Sequence, residues 1–135
     1  YFMNCKRGIF NRIIHFFIKY HKYRLGLKLA FSIPENVAKK GLQLVHYGSI
    51  VINANTKIGE NCRIHTCTNI GTANKSSKAP VIGDNVYIGP GAKIYGEITI
   101  ASNIKIAPNA AVSKDFLMEN VIIGGVPAKQ ISKSK

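Results

Sequence analysis

A chain of 135 residues with 46% hydrophobic content can bury one core, and no run in it approaches the roughly 18 apolar residues of a membrane span or reads as a signal peptide. Nineteen Lys and Arg against six Asp and Glu leave a formal charge of +13, which is compatible with anionic partners. Cys5, Cys62 and Cys67 cannot all pair within one chain, so a disulfide-built secreted domain is excluded and a reducing, cytoplasmic setting is expected.

In the first segment, residues 1–30, Ile9, Ile13, Phe16, Phe17 and Tyr20 fall at helical spacing. Lys6, Arg7, Arg12, Lys19, Lys22, Arg24 and Lys28 lie between them, and the segment has no acid. The pattern predicts an amphipathic basic helical arm ended by Pro34. Its apolar face has two possible uses: burial against the rest of the fold or a sister subunit, or contact with an anionic membrane surface or nucleic acid. Burial is the expectation adopted, because no nucleic-acid motif is visible; peripheral membrane contact stays open.

Leu42, Leu44 and Val45 lead into residues 31–128, where the periodicity changes. Ile82, Ile88, Ile94, Ile100, Ile106 and Val112 place a branched aliphatic at every sixth position. Helices repeat near 3.6 residues and strands every 2, so a six-residue beat predicts a solenoid of short faces. Four residues after each aliphatic stands a second inward side chain, Val86, Ala92, Ile98, Ile104 or Ala110, and a small residue such as Gly83, Gly89, Ala101 or Ala107 often follows the aliphatic directly, which suggests tight turning there. The beat continues backwards through Ile70, Ile64, Ile58 and Ile52, with Thr68, Cys62 and Thr56 at the second slot. Thr72 to Pro80 (TANKSSKAP) interrupts it as a polar loop with the phase kept. One further step back, His46 occupies an aliphatic slot. Beyond Val112, Ser113 to Asn120 reads as a turn region, Val121 to Ala128 as a last extended piece, and the basic tail 129–135 as disordered.

The hexads, the segments GDNVYIGPGAKIYG (Gly83 to Gly96), AAVSKD (Ala110 to Asp115) and GGVPAK (Gly124 to Lys129), and LVHYGSIVIN (Leu44 to Asn53) together resemble the hexapeptide-repeat acyltransferases. The similarity is greatest to the serine acetyltransferase branch and its relatives in surface-polysaccharide loci. It implies a mainly β fold, a left-handed parallel β-helix, with a homotrimer, acetyl-coenzyme A as co-substrate, and active sites between neighbouring subunits. His46 matches the histidine that acts as general base, removing the acceptor hydroxyl proton as that oxygen attacks the thioester. Tyr47, His65 and Lys78 are substrate-contact candidates, although a solvated surface histidine is an equally ordinary role for His65. For the coenzyme the resemblance implicates Thr72, Pro90 and Pro108, spaced by 18 residues as equivalent points on successive coils, with Lys114 and Lys129 suited to phosphate as mobile charges. No metal is expected: Cys62, His65 and Cys67 resemble a cluster, but the hexad sends Cys62 inward and the other two outward.

Three departures bear on the acceptor. The aspartate that pairs with the family's catalytic histidine is here Phe31, beside Ser32; the aspartate directly before the histidine is Val45; and the second active-site histidine is Ala79. A zwitterionic amino acid wants a carboxylate for its ammonium group, so these changes lean toward a sugar hydroxyl of a surface-polysaccharide pathway, with free serine the alternative. A zinc enzyme and a non-catalytic basic binding module are the other classes, and nucleic acid is not an expected partner.

Overall fold

The six-residue beat becomes a coil of three short strands. In the computed structural model, which describes residues 8–73 and 78–133, the strands stack into three parallel sheets that form the faces of a left-handed β-helix. Cys5, Lys6 and Arg7 of the arm and residues 74–77 of the loop lie outside the described residues. The first face holds β1 (Phe31–Ser32), β3 (Ile50–Ile52), β6 (Thr68–Gly71), β9 (Lys93–Tyr95) and β12 (Ala111–Val112). The second holds β4 (Lys57–Ile58), β7 (Val81–Ile82) and β10 (Thr99–Ile100). The third runs through β2 (Gln43–Leu44), β5 (Arg63–Ile64), β8 (Tyr87–Ile88), β11 (Lys105–Ile106), β13 (Val121–Gly124) and β14 (Lys129–Lys133).

Register places like on like. Ile52, Ile70, Ile94 and Val112 stack on the first face, Ile58, Ile82 and Ile100 on the second, and Leu44, Ile64, Ile88, Ile106 and Ile123 on the third. All but Leu44 are buried, and each buried isoleucine contributes roughly 1.5–3 kcal/mol relative to exposure. Thr56, Cys62, Thr68, Val86, Ala92, Ile98, Ile104 and Ala110 are buried as the second slot of the repeat requires.

The turns are made differently from the sequence expectation. Gly83 and Gly89 do not turn the chain; they let coils approach, since a Cβ at Gly89 would lie 2.7 Å from the Ile106 carbonyl oxygen. Turning falls to the third residue after the aliphatic, where Asn61, Cys67, Asn85, Gly91, Asn103 and Asn109 all have positive φ. Asn tolerates this left-handed region better than other residues with a side chain, and Asn85 donates through Nδ2 to Asn103 Oδ1 at 3.1 Å, linking two such corners.

Two further expectations are corrected. The arm is α1 (Ile9–Leu29), but Pro34 does not end it: Ala30 takes a left-handed conformation, its N–H bonds back to the Gly26 carbonyl, and Phe31 has already joined the first face beside Ile50. Nor does α1 bury its aromatic face, for Phe16, Phe17, Tyr20, Tyr23 and Leu27 are exposed. The tail is not disordered through Lys133: Lys129–Lys133 pair antiparallel with β13 and extend the third face. Residues 134–135 lie outside the described residues.

Candidate active site

His46 follows β2 at the corner between the third and first faces. The aliphatic slot counted back to it belongs in fact to Leu44, which stacks on Ile64. The entry coil is out of phase because Ile50 and Ile52 both point inward, and this shifts the upstream slots by two residues. His46 is therefore an exposed corner residue rather than a break in the core. Val45 N–H donates to the Ile64 carbonyl (3.2 Å), and Gly48 N–H donates to the Leu29 carbonyl (3.0 Å), so the short segment bearing His46 is tied at one end to the coil and at the other to the end of α1. Gly48 has φ 135°, open to glycine, and a Cβ there would press on Thr66 at 3.2 Å.

His65 stands one coil on. Its N–H donates to the Ile88 carbonyl (3.1 Å), and its own carbonyl accepts from the Thr68 hydroxyl (2.8 Å), which fixes the turn. Its ring centroid lies 6.3 Å from that of His46 and 5.0 Å from that of Tyr87, so three successive coils contribute one aromatic stack. Nε2 of His65 is buried with no hydrogen-bond partner among the described residues. Burial pushes its pKa below the usual histidine value, and Arg63 and His46 add to the shift, which favours a neutral ring.

The corner continues as a line. Gly91 N–H donates to the Thr66 carbonyl and Asn109 N–H to the Pro90 carbonyl, so Thr66, Pro90 and Pro108 occupy equivalent positions. Thr72 does not belong to this line. The coil containing the loop is 24 residues long, as the pairing of Ile70 with Ile94 shows, whereas later coils take 18. Counting by 18 across the loop therefore selected the wrong residue, and Thr66 takes the place expected for Thr72. Thr72 and Lys114 both follow strands of the first face, at its other edge. Lys129, opposite Gly124 in the last hairpin, lies at the C-terminal end of the His46 corner. Lys114 Nζ lies 5.6 Å from the centre of the Phe116 ring. Tyr47 is 79% exposed, and Lys78 is paired with Glu97. Ala79 is buried and offers no polar group. Cys62 is buried, its thiol directed at the Gly83 carbonyl, and burial raises its pKa; Cys67 is exposed, so this pair and His65 do not converge. Tyr87 and Thr66 went unnoticed in the sequence, because 24-residue spacings identify them only once the length of the loop coil is known.

Fold and corner together define a hexapeptide-repeat β-helix, and the bacterial transferase hexapeptide (six repeats) family matches residues 79–114. Serine acetyltransferase from Helicobacter pylori is 32% identical over 71% of this chain and 57% of its own length. Serine acetyltransferase from Buchnera aphidicola subsp. Schizaphis graminum is 33% identical over 92% of this chain and 52% of its own length. The crystal structure of serine acetyltransferase in complex with coenzyme A from Brucella abortus superposes with a TM-score of 0.77 at 29% identity, covering 94% of this chain and 52% of that one. The chain belongs to the hexapeptide-repeat acyltransferase family, near its serine acetyltransferase branch, and spans about half the length of these relatives.

Proposed function

We propose that this chain carries an acetyl-coenzyme A-dependent O-acetyltransferase site with His46 as general base. The observation that carries the reading is the solvent-open His46 at the head of the corner line Thr66, Pro90 and Pro108, in a chain similar along most of its length to serine acetyltransferases, one of them solved with coenzyme A. In this scheme the acceptor hydroxyl gives its proton to His46 while its oxygen attacks the thioester carbonyl. The C–S bond then breaks, and the thiolate of coenzyme A takes up the proton. His65, held neutral, would stack beside the reacting imidazole without adding a second positive charge, and Tyr47 and Lys78 border the entrance. Pro90, Pro108 and Lys129 would guide the pantetheine arm and phosphates along the corner. Thr72 and Lys114, at the opposite edge of the first face, serve the same ligand only if they come from a neighbouring chain. That division supports a homotrimer with sites between subunits.

Serine is the acceptor the relatives favour, and the sugar suggested by the substitutions gains no support from them. Val45 is the one observation on the other side, since it puts an isopropyl group directly before His46 where a carboxylate would meet an ammonium. Release of coenzyme A, measured with L-serine beside a panel of free and nucleotide-linked sugars, separates the two acceptors. A serine specificity constant above ~10⁴ M⁻¹s⁻¹ ends the sugar reading. His46→Ala should lower turnover by about two to four orders of magnitude with coenzyme A affinity by calorimetry nearly unchanged. Turnover close to wild type would reject the assignment of His46.

A further inference from the structure

Helix α1 is apolar on two sides. Ile14, Ile18, Leu25 and Leu29 share the side that turns toward Phe31 and Ile33, where a groove of about 330 Å³ remains between helix and coil. Gly26 makes the close approach there, since a Cβ on it would sit 2.8 Å from the Phe31 carbonyl oxygen. Lys22 ties the helix to the coil through Glu35 at 3.6 Å. At 100° per residue the opposite side gathers Ile13, Phe16, Phe17, Tyr20, Tyr23 and Leu27 into one stripe. Every member is more than half exposed.

Charge decides what the stripe fits. Arg12 and Lys19 flank it on one side and Lys28 on the other, while Arg24 lies within it, its guanidinium 3.2 Å from the Tyr20 hydroxyl. No acid occurs before Glu35. A second copy of this helix would bring a like-charged surface against it, so self-association along the stripe is opposed. Nucleic acid would meet the charges but leave Ile13 and Leu27 without an apolar partner. An anionic lipid surface satisfies both: the aromatic and aliphatic stripe enters the headgroup boundary while Arg and Lys stems run outward to the phosphates. No described helix is long and apolar enough to cross a membrane, so the contact would lie along the surface.

We infer that α1 docks this protein on anionic membranes through the stripe from Ile13 to Leu27, with the β-helix standing off the surface. The chain contains no tryptophan, so Phe16→Trp supplies a single emission probe on the stripe. Full-length protein should sediment with phosphatidylcholine–phosphatidylglycerol (7:3) vesicles at least tenfold more tightly than with phosphatidylcholine alone. The probe should shift to the blue on binding, and ~0.5 M salt should release the protein. Phe16→Ser/Phe17→Ser should cost at least tenfold in partitioning, as should Arg12→Glu/Lys19→Glu, with circular dichroism unchanged. Because these side chains are exposed, loss of folding in one pair leaves the other to decide. Three results would overturn the inference: equal partitioning to neutral and anionic vesicles, no blue shift, or binding to a single-stranded oligonucleotide in place of vesicles.

Discussion

The coil stack and α1 lie side by side and are built on opposite principles. In the stack each isoleucine rests on the next, so its whole side chain leaves water and the same contact repeats from coil to coil. In α1 the larger share of the apolar surface remains exposed, and the helix touches the body through Gly26, Lys22 and the side facing Phe31. The difference teaches that hydrophobic content alone does not make a core. The stack has a period that its own geometry can satisfy, whereas a lone helix needs a partner surface that this fold does not supply.

Substitutions of one kind in the two regions should therefore have very different costs. Ile94→Ala, in the middle of the first-face ladder, should lower stability by about 2–5 kcal/mol in urea titration, since the coils above and below cannot close the gap. A cost under ~1 kcal/mol would break the comparison. Gly89→Ala should cost about 1–3 kcal/mol, because the new Cβ meets the backbone at Ile106 and Pro108, which lies deep in the stack. Asn103→Ala puts alanine in a left-handed conformation and removes the acceptor for Asn85, at a cost of roughly 1–2 kcal/mol. Phe16→Ser on α1 should stay within about 0.5 kcal/mol of wild type. A loss near that of Ile94→Ala would mean that the stripe is covered in the folded protein, against both the exposure described and the lipid contact inferred.

The smallest expected effect is a pH dependence at His65. Its folded pKa lies below the ordinary 6.5, so as pH falls below that value the unfolded chain takes up the proton first. The contribution from this residue is complete above pH ~6.5 and declines from there down through the lowered folded value. The difference in stability between wild type and His65→Gln should therefore change over that acid window and be flat above it. Parallel profiles throughout would show that the ring is not desolvated in solution.

The sequence determined the solenoid, because a six-residue spacing of Ile and Val is compatible with few other structures and identical residues stack best on themselves. It also marked His46, through a flanking match rather than through the slot assigned to it. Tertiary structure decided what spacing alone could not express. The loop after β6 lengthens one coil to 24 residues, and this puts Thr66 rather than Thr72 beside Pro90 and brings Tyr87 over His65. Ile50 and Ile52 both turn inward, which moves His46 from the core to the corner. Lys129–Lys133 form a strand because β13 offers a free edge, and backbone hydrogen bonds to that edge do not depend on the tail having an apolar pattern of its own. For α1, composition and helical spacing fixed the helix and its charge, but whether the apolar stripe would be covered depended on what the rest of the chain placed beside it. The β-helix presents Phe31 and Ile33 to one side of the helix and nothing to the other.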